Sequence, residues 1–180
     1  MRLTVSFGGV EKLAETWEER ARLIAEVLEN LEPERPVARG IAPGNDAWFA
    51  LSDPPGPDRR GRCSHLRVAA NRSTGYGALI WFVTMDDPRR GGVYEHVWVS
   101  DNATPPDFDP RVVSDPGYPL FHDPASALPI PRVRAALEEY CRSATGERPG
   151  CVDWVEGHMN GQRLDRPSIT EDVEDHDPFA

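Results

Sequence analysis

The stretch Ala78-Leu-Ile-Trp-Phe-Val83 is continuously apolar and decides the fold. A short apolar run between turn residues is typical of a strand buried on both faces of a sheet. The flanking segments 71–77 and 86–92 carry Gly, Pro, Asn and Asp, which are turn-forming residues. Connections this short join antiparallel neighbours, so the pattern predicts an antiparallel sheet around residues 78–83.

Five further segments are predicted to add strands to this sheet. Residues 2–7 and 65–70 alternate between polar and apolar side chains, which indicates half-buried strands. The short apolar segment 47–51 and the segment 93–99 complete a meander of neighbouring strands. Residues 151–155 contain apolar side chains and are predicted to add a strand late in the chain. The sheet is therefore expected to contain five or six strands.

Two segments change to a period of 3.6, which indicates amphipathic helices. Thr16 and Glu19 have the spacing of a capping box ahead of an apolar stripe, which predicts a helix over residues 16–31. Pro131 suits the first position of a helix and predicts a second one over residues 131–144. The predicted fold class is α+β: an antiparallel five- to six-stranded sheet with two main helices packed on it.

The 180 residues are predicted to form one domain, residues 1–164, followed by an acidic tail, residues 165–180. Residues 171–177 contain five acidic side chains and no basic one, so we expect the tail to be disordered. Residues 101–131 are irregular and contain eight prolines. Loops of this length inside a compact domain are either functional or merely loose.

The charge distribution bears on the kind of partner. The net charge is −10, and residues 1–90 carry 13 acidic and 13 basic side chains against 17 and 7 in residues 91–180. An acidic protein repels nucleic-acid phosphates and anionic lipid, so neither nucleic acid nor membrane is expected as a partner. No apolar run resembles a membrane span or a signal peptide, which predicts a cytoplasmic protein. The acidic half either attracts a basic protein surface or serves solubility.

Enzyme motifs are absent from the sequence, including the P-loop, GxSxG, HExxH and nucleobase-deaminase patterns. No His or Cys pair has the spacing of metal ligands, so no metal and no cofactor is expected. Two alternatives nevertheless stay open. A small hydrolase would use the region of Asp107, Asp109 and His122. A small-ligand or regulatory binding module would use the strand face of Tyr94, His96 and Trp98.

Several short motifs follow one another in the second half of the chain. They are Gly75-Tyr-Gly-Ala-Leu-Ile-Trp81, Trp98-Val-Ser100, Ala127-Leu-Pro-Ile-Pro131, Thr145-Gly-Glu-Arg-Pro149 and Val152-Asp-Trp154. This order resembles immunity-protein family one of bacterial polymorphic toxin systems, over about half of the chain. The resemblance implies a non-enzymatic α+β protein with a late tryptophan, here Trp154, and a cognate toxin as partner. Nucleic-acid deaminases are prominent among the toxins of that family.

The charge and the resemblance together predict how the protein acts. A toxin that acts on nucleic acid presents a basic cleft to its substrate. An acidic inhibitor would block that cleft, and opposite charges would speed the encounter. We therefore expect an immunity protein that binds and neutralises a nucleic-acid-targeting, deaminase-like toxin. Trp154 lies in an apolar strand pattern and is expected to pack in the core rather than to bind the toxin.

The candidate interface is the acidic stretch 101–123. Its prolines reduce the conformational entropy lost on binding, and aromatic side chains often anchor interfaces. The alternative is a solvated loop whose aromatic residues pack into the core. Asp101, Asp107 and Asp109 are predicted to be turn residues. The candidate toxin-binding residues are Asp86, Asp87, Asp101, Asp107, Asp109, Asp115, Tyr118 and Phe121; no catalytic or metal-binding residue is predicted.

Overall fold

The structure is a computed structural model that describes residues 1–53, 63–84, 87, 96–117 and 120–167. The strands are β1 (Arg2–Phe7), β2 (Val10–Ala14), β3 (Arg35–Val37), β4 (Gly40–Ala42), β5 (Asp46–Ser52), β6 (Cys63–Asn71), β7 (Tyr76–Val83), β8 (Val97–Asp101), β9 (Val113–Asp115), β10 (Leu120–Phe121), β11 (Leu128–Pro129) and β12 (Asp153–Glu156). The α-helices among these residues are α1 (Trp17–Asn30) and α2 (Ile130–Ser143). In the described part of the chain, no helix is both long and apolar enough to cross a membrane.

One antiparallel sheet organises the molecule. Its strands run in the order β12-β8-β7-β6-β5-β1-β2, and β11 pairs with one end of β7. The pairs β3–β4 and β9–β10 form separate two-stranded ladders. As the sequence predicts, β7 is central and buried on both faces, with Leu79 fully buried on one side and Ala78 on the other. The predicted α+β class with an antiparallel sheet is confirmed.

Both predicted helices are present and pack on the same face of the sheet. The Thr16 hydroxyl accepts a hydrogen bond from the Glu19 amide at 3.2 Å, and the Glu19 carboxylate accepts one from the Thr16 amide at 3.0 Å. This capping box starts α1 at the predicted place. Helix α2 begins one residue earlier than predicted, at Ile130, so Pro131 occupies its second position. The main core lies between these helices and strands β1, β5, β6 and β7.

The sheet has more strands than the sequence predicts. Gly8 and Gly9 directly follow the predicted strand over residues 2–7, and with φ angles of +59° and +77° they form a tight turn. Two central residues with positive φ match the twist of a β-hairpin, so the chain returns as β2. Val10 and Leu13 are exposed on this edge strand, and no clear apolar alternation marked it in the sequence.

The opposite face of the sheet is covered by irregular chain. Ala69 and Ala78 point away from the helices and form a second buried cluster with Val112 and Ala127. The Asn71 side-chain amide donates to the Pro110 carbonyl at 2.9 Å, which fixes the proline-rich segment to the end of β6. The described part of residues 101–131 therefore forms a packed layer of the domain, which we call the proline-rich layer. This layer carries most of the candidate toxin-binding residues.

Candidate functional site

A cavity of about 330 Å³ lies between the 101–123 stretch and the residues that end the described chain. We call it the His122 cavity. Residues from both segments line it, among them Asp109, Phe121, His122, Asp123, Gly161 and Arg163. The structure thus brings two of the candidate toxin-binding residues, Asp109 and Phe121, to one opening.

Arg163 holds the two walls of the cavity together. Its side chain is 5% exposed and makes two hydrogen bonds to the Asp165 carboxylate, at 2.9 and 2.7 Å. It also donates to the Asp101 carboxylate at 2.8 Å and to the Ala125 carbonyl at 3.2 Å. The hydrogen bonds to Asp165 and Asp101 raise the pKa of the guanidinium, and the same contact with Arg163 lowers the pKa of Asp165. The C-terminal segment is therefore tied to the end of β8 by charge-assisted hydrogen bonds.

His122 forms a polar part of the cavity wall. The residue is 3% exposed, and its Nδ1 atom is buried without a hydrogen-bond partner in the described chain. Burial, and then the positive charge of Arg67, lower the pKa of His122 to about 3. The imidazole is therefore neutral at physiological pH and keeps one nitrogen as an acceptor. Gly161 packs against this ring, since a Cβ atom there would lie 2.9 Å from Nδ1.

The remaining candidates of the 101–123 stretch differ in their exposure. Asp107 and Asp109 are exposed, and the Asp109 carboxylate accepts a hydrogen bond from the Arg111 amide at 2.8 Å, as expected of a turn residue. Asp115 is half-exposed in β9. Asp101 is the last residue of β8 and binds Arg163, so the prediction that it is a turn residue was wrong.

Phe121 is half-buried in β10, with the Arg111 guanidinium 4.1 Å from its ring centre. The ring is therefore neither tucked into the core nor fully presented to solvent. Phe108 was not among the candidates, although it is 46% exposed in the same stretch and makes an edge contact with Tyr76. Its position between Asp107 and Asp109 is the sequence signal that identifies it, an aromatic side chain flanked by acidic turn residues.

Asp87 does not join the other candidates. It is 3% exposed, and its carboxylate accepts a hydrogen bond from the Cys63 amide at 2.9 Å. This contact lies beyond the C-terminal end of β7, whereas Asp101 lies near the N-terminal end of that strand. Asp86 and Tyr118 lie outside the described residues.

The structure places the residues of the two alternative sites, the hydrolase site and the ligand-binding face, in different surroundings. Asp109 and His122, which a hydrolase would use, do line the same cavity. A histidine with a pKa of about 3 is however a poor general base near neutral pH, because the base works best when its pKa is close to the working pH. On the proposed ligand-binding face, His96 is 4% exposed and Trp98 packs against the main core. Tyr94 lies outside the described residues.

The sequence motifs at residues 145–149 and 152–154 lie close together at the β12 edge of the sheet, beside the helices. The Trp154 indole donates to the Pro149 carbonyl at 2.8 Å, and the ring packs against the main core. The Arg148 guanidinium lies 3.8 Å from the centre of the Trp98 ring and 6.0 Å from that of Trp154. Since these contacts join the loop at 145–149 to β8 and β12, the motifs build the fold. Trp154 therefore packs against the core, as predicted. It is half-buried, however, and not a fully buried core residue.

The comparisons with known proteins agree with this arrangement. The family model described as Immunity protein Imm1 matches residues 8–156, which is most of the chain. No curated protein and no solved structure matches it. The matched range contains every strand of the main sheet except β1, together with both helices and the proline-rich layer. The chain therefore belongs to the Imm1 family of immunity proteins.

Proposed function

We propose that this protein binds a cognate bacterial toxin in the cytoplasm and neutralises it by covering a basic, nucleic-acid-binding cleft. The toxin would act on nucleic acid, with a deaminase as the favoured class. Membership of an immunity-protein family supports the general role. The acidic surface of the protein supports the more specific mechanism.

One observation carries the proposal: the acidic side chains of the proline-rich layer remain available on its surface. Asp107, Asp109 and Asp115 are exposed or half-exposed, and no ion pair neutralises them within the described residues. Arg111 is the one basic residue between 93 and 123, and it pairs with Glu34 at 3.3 Å. This surface therefore has the charge that complements a basic cleft.

The described part of this layer is held in place by hydrogen bonds within the protein. The Pro110 carbonyl accepts hydrogen bonds from Asn71 and Thr74, and β9 pairs with β10. A segment that is fixed in advance loses little conformational entropy on binding, so more of the contact energy appears as affinity. This supports the proline-rich layer as the toxin-binding surface.

Inhibition of a purified toxin tests the proposal. The cognate toxin would be assayed for deamination of single-stranded DNA and RNA with increasing amounts of the protein. We expect activity to fall to zero at a 1:1 ratio, and the association to weaken with added salt. Full toxin activity at tenfold excess of the protein would refute the proposal, as would turnover of the nucleic acid by this protein alone.

A small-ligand binding module is the second candidate, and what favours it is the His122 cavity rather than the strand face of Tyr94, His96 and Trp98 where the sequence predicted it. Its volume of about 330 Å³ lies at the lower end of the range of small-molecule sites, about 300–1,000 Å³. A metabolite that raises the melting temperature in proportion to the logarithm of its concentration, without any effect on the toxin, would support this alternative.

A further inference from the structure

We infer that Phe108 is the side chain with which this protein enters the substrate pocket of the toxin, and that residues 103–109 form the loop that presents it. The inference rests on the proposed function and names the part of the proline-rich layer in which the affinity is concentrated. Three observations carry it: the exposure of the Phe108 ring, the attachment of both ends of the loop, and the charge beside the ring.

Phe108 is an exposed aromatic residue. It is 46% exposed, and none of the other large apolar residues that are exposed in the described part of the chain is aromatic. Covering such a ring with a partner removes apolar surface from water, which favours binding. Interfaces are enriched in aromatic side chains and concentrate their binding energy in a few anchors surrounded by polar residues. Phe108 therefore has the exposure and the chemistry of an interface anchor.

The main sheet supports the Phe108 ring from one side. The Tyr76 ring meets it edge-on, with 5.8 Å between the ring centres and an interplanar angle of 82°. Tyr76 begins β7 and packs against the second buried cluster, which consists of Ala69, Ala78, Val112 and Ala127. Because Phe108 contacts a side chain of the central strand, it loses less rotamer freedom on binding than an unsupported ring would.

Two buried asparagines hold the ends of the loop. At one end, Asn102 is 4% exposed, and its side-chain amide donates to the Ala127 carbonyl at 2.6 Å. At the other end, Asn71 is 6% exposed, and its side-chain amide donates to the Pro110 carbonyl at 2.9 Å. Between these two points the loop is exposed apart from one half-buried proline. Both ends are thus attached to the domain, which reduces the conformational entropy that binding costs.

The charge beside the ring indicates the kind of pocket that it fits. Asp107 and Asp109 flank Phe108 in the chain, and both are exposed without an ion pair among the described residues. The loop contains no basic residue. A ring between two carboxylates complements an apolar pocket with a basic rim. Enzymes that act on a base hold it between apolar or aromatic side chains and bind the nucleic-acid backbone with basic ones. The pocket that Phe108 fits is therefore the base-binding pocket of the toxin.

The affinity of variants for the cognate toxin tests the anchor. Phe108→Ala should weaken binding at least about thirtyfold, the loss that is typical of an interface hot spot. Leu13→Ala is the matched control, because Leu13 is 62% exposed on β2, outside the proline-rich layer, and this variant should bind like the wild type. Both side chains are exposed, so both variants should fold. A loss below about threefold for Phe108→Ala, or equal losses in the two variants, would overturn the inference.

Photo-crosslinking identifies the pocket. The photoreactive residue p-benzoylphenylalanine would replace Phe108 in one preparation and Leu13 in another, and mass spectrometry would locate the crosslinked toxin residues. We expect position 108 to crosslink to the substrate pocket of the toxin and position 13 not to crosslink to the toxin. The wild-type protein should also raise the KM of the toxin for a single-stranded oligonucleotide without changing kcat. Crosslinks from position 108 that lie only outside the pocket, or a fall in kcat at unchanged KM, would overturn the inference.

A double-mutant cycle tests whether the attached ends of the loop act through Phe108. Asn102→Ala should weaken toxin binding by about tenfold in the wild-type background and have little further effect in the Phe108→Ala background. Thr74→Ala removes a second hydrogen bond to the Pro110 carbonyl, and it gives the same comparison at a residue that is not fully buried. Equal losses in both backgrounds would show that these contacts only support the fold, and would overturn the presenting role of the loop.

The same measurements separate the anchor from the proposed function. Inhibition and affinity that are unchanged in Phe108→Ala would refute the anchor and leave the proposed function standing. A wild-type protein that leaves the activity of the toxin unchanged would refute the proposed function, whatever the variants do to binding.

Discussion

Replacing Arg163 with Met tests whether this side chain holds the C-terminal segment to the domain. Methionine keeps the volume of the buried stem but removes the charge and all the donors. The Arg163 side chain is 5% exposed and makes its four shortest hydrogen bonds to the carboxylates of Asp101 and Asp165 and the carbonyl of Ala125. The variant therefore loses these four hydrogen bonds and introduces no steric clash.

The structure limits how far Arg163→Met can lower the free energy of unfolding. Breaking a buried ion pair typically costs about 3–5 kcal/mol, because one charge is left buried and unpaired. Here the remaining charges are not fully buried, since the Asp101 and Asp165 side chains are 35% and 45% exposed and regain water. The Ala125 carbonyl still accepts a hydrogen bond from the Asn102 amide at 2.7 Å. We therefore expect Arg163→Met to lower the free energy of unfolding by about 2–3 kcal/mol.

Urea denaturation followed by circular dichroism measures this loss. Arg166→Met is the matched control, because its guanidinium is 51% exposed and makes only a surface pair with Asp123. It should cost less than about 1 kcal/mol. A loss below about 1 kcal/mol for Arg163→Met, or equal losses for the two variants, would refute the tethering role.

The cost of the Arg163 variant should also depend on pH. The contact with Arg163 lowers the native pKa of Asp165 below its unfolded value, so this contribution to stability is fully present above the unfolded pKa of about 3.9. It is lost as the pH falls through the lower native pKa. The difference between the wild type and Arg163→Met should therefore be smaller at pH 2.5 than at pH 7. A constant difference would show that packing, and not charge, explains the loss.

Three further substitutions test separate parts of the fold by the same denaturation assay. Trp154→Ala should lower the free energy of unfolding by about 2 kcal/mol, less than the 3–5 kcal/mol of a fully buried ring, because this ring is half-buried. A loss near zero would reopen an interface role for Trp154. Gly161→Ala should cost about 1–3 kcal/mol, since φ is +81° and the added Cβ meets the His122 ring; an unchanged midpoint would contradict this packing. Thr16→Ala should cost about 1 kcal/mol through the lost helix cap, and Thr16→Ser should restore most of it.

The parts of the fold predicted from sequence are those that leave a local pattern. The apolar run of β7, the alternation in β1 and the capping box of Thr16 and Glu19 each depend on neighbouring residues, and the structure confirms them. Strand β2 was missed because the Gly8-Gly9 pair is equally compatible with the end of a strand and with a hairpin turn. Only the pairing of residues 10–14 with β1 shows that the two glycines form a hairpin turn. These residues have no periodic pattern that predicts a strand.

The candidate site was predictable only in part, for a related reason. Acidic turns and aromatic residues in the 101–123 stretch are visible in the sequence, and the structure brings Asp109 and Phe121 to one cavity. The wall that faces them comes from residues 161–167. Arg163 reaches the carboxylate of Asp101 across 62 residues, and no spacing rule links residues so far apart. The buried position of Asp87 depends in the same way on the distant Cys63 amide.

The association rate of the cognate toxin tests the central claim most directly. Asp107, Asp109 and Asp115 would be changed together to Asn, and Glu15, Glu18 and Glu29, on or beside α1, together to Gln as a control with the same loss of charge. Stopped-flow association would be measured at several salt concentrations. If the acidic proline-rich layer binds a basic cleft, the Asp triple variant should associate about tenfold more slowly and depend less on salt, while the Glu triple variant should stay close to wild type. Equal rates and equal salt dependence for the wild type and the Asp triple variant would contradict the account.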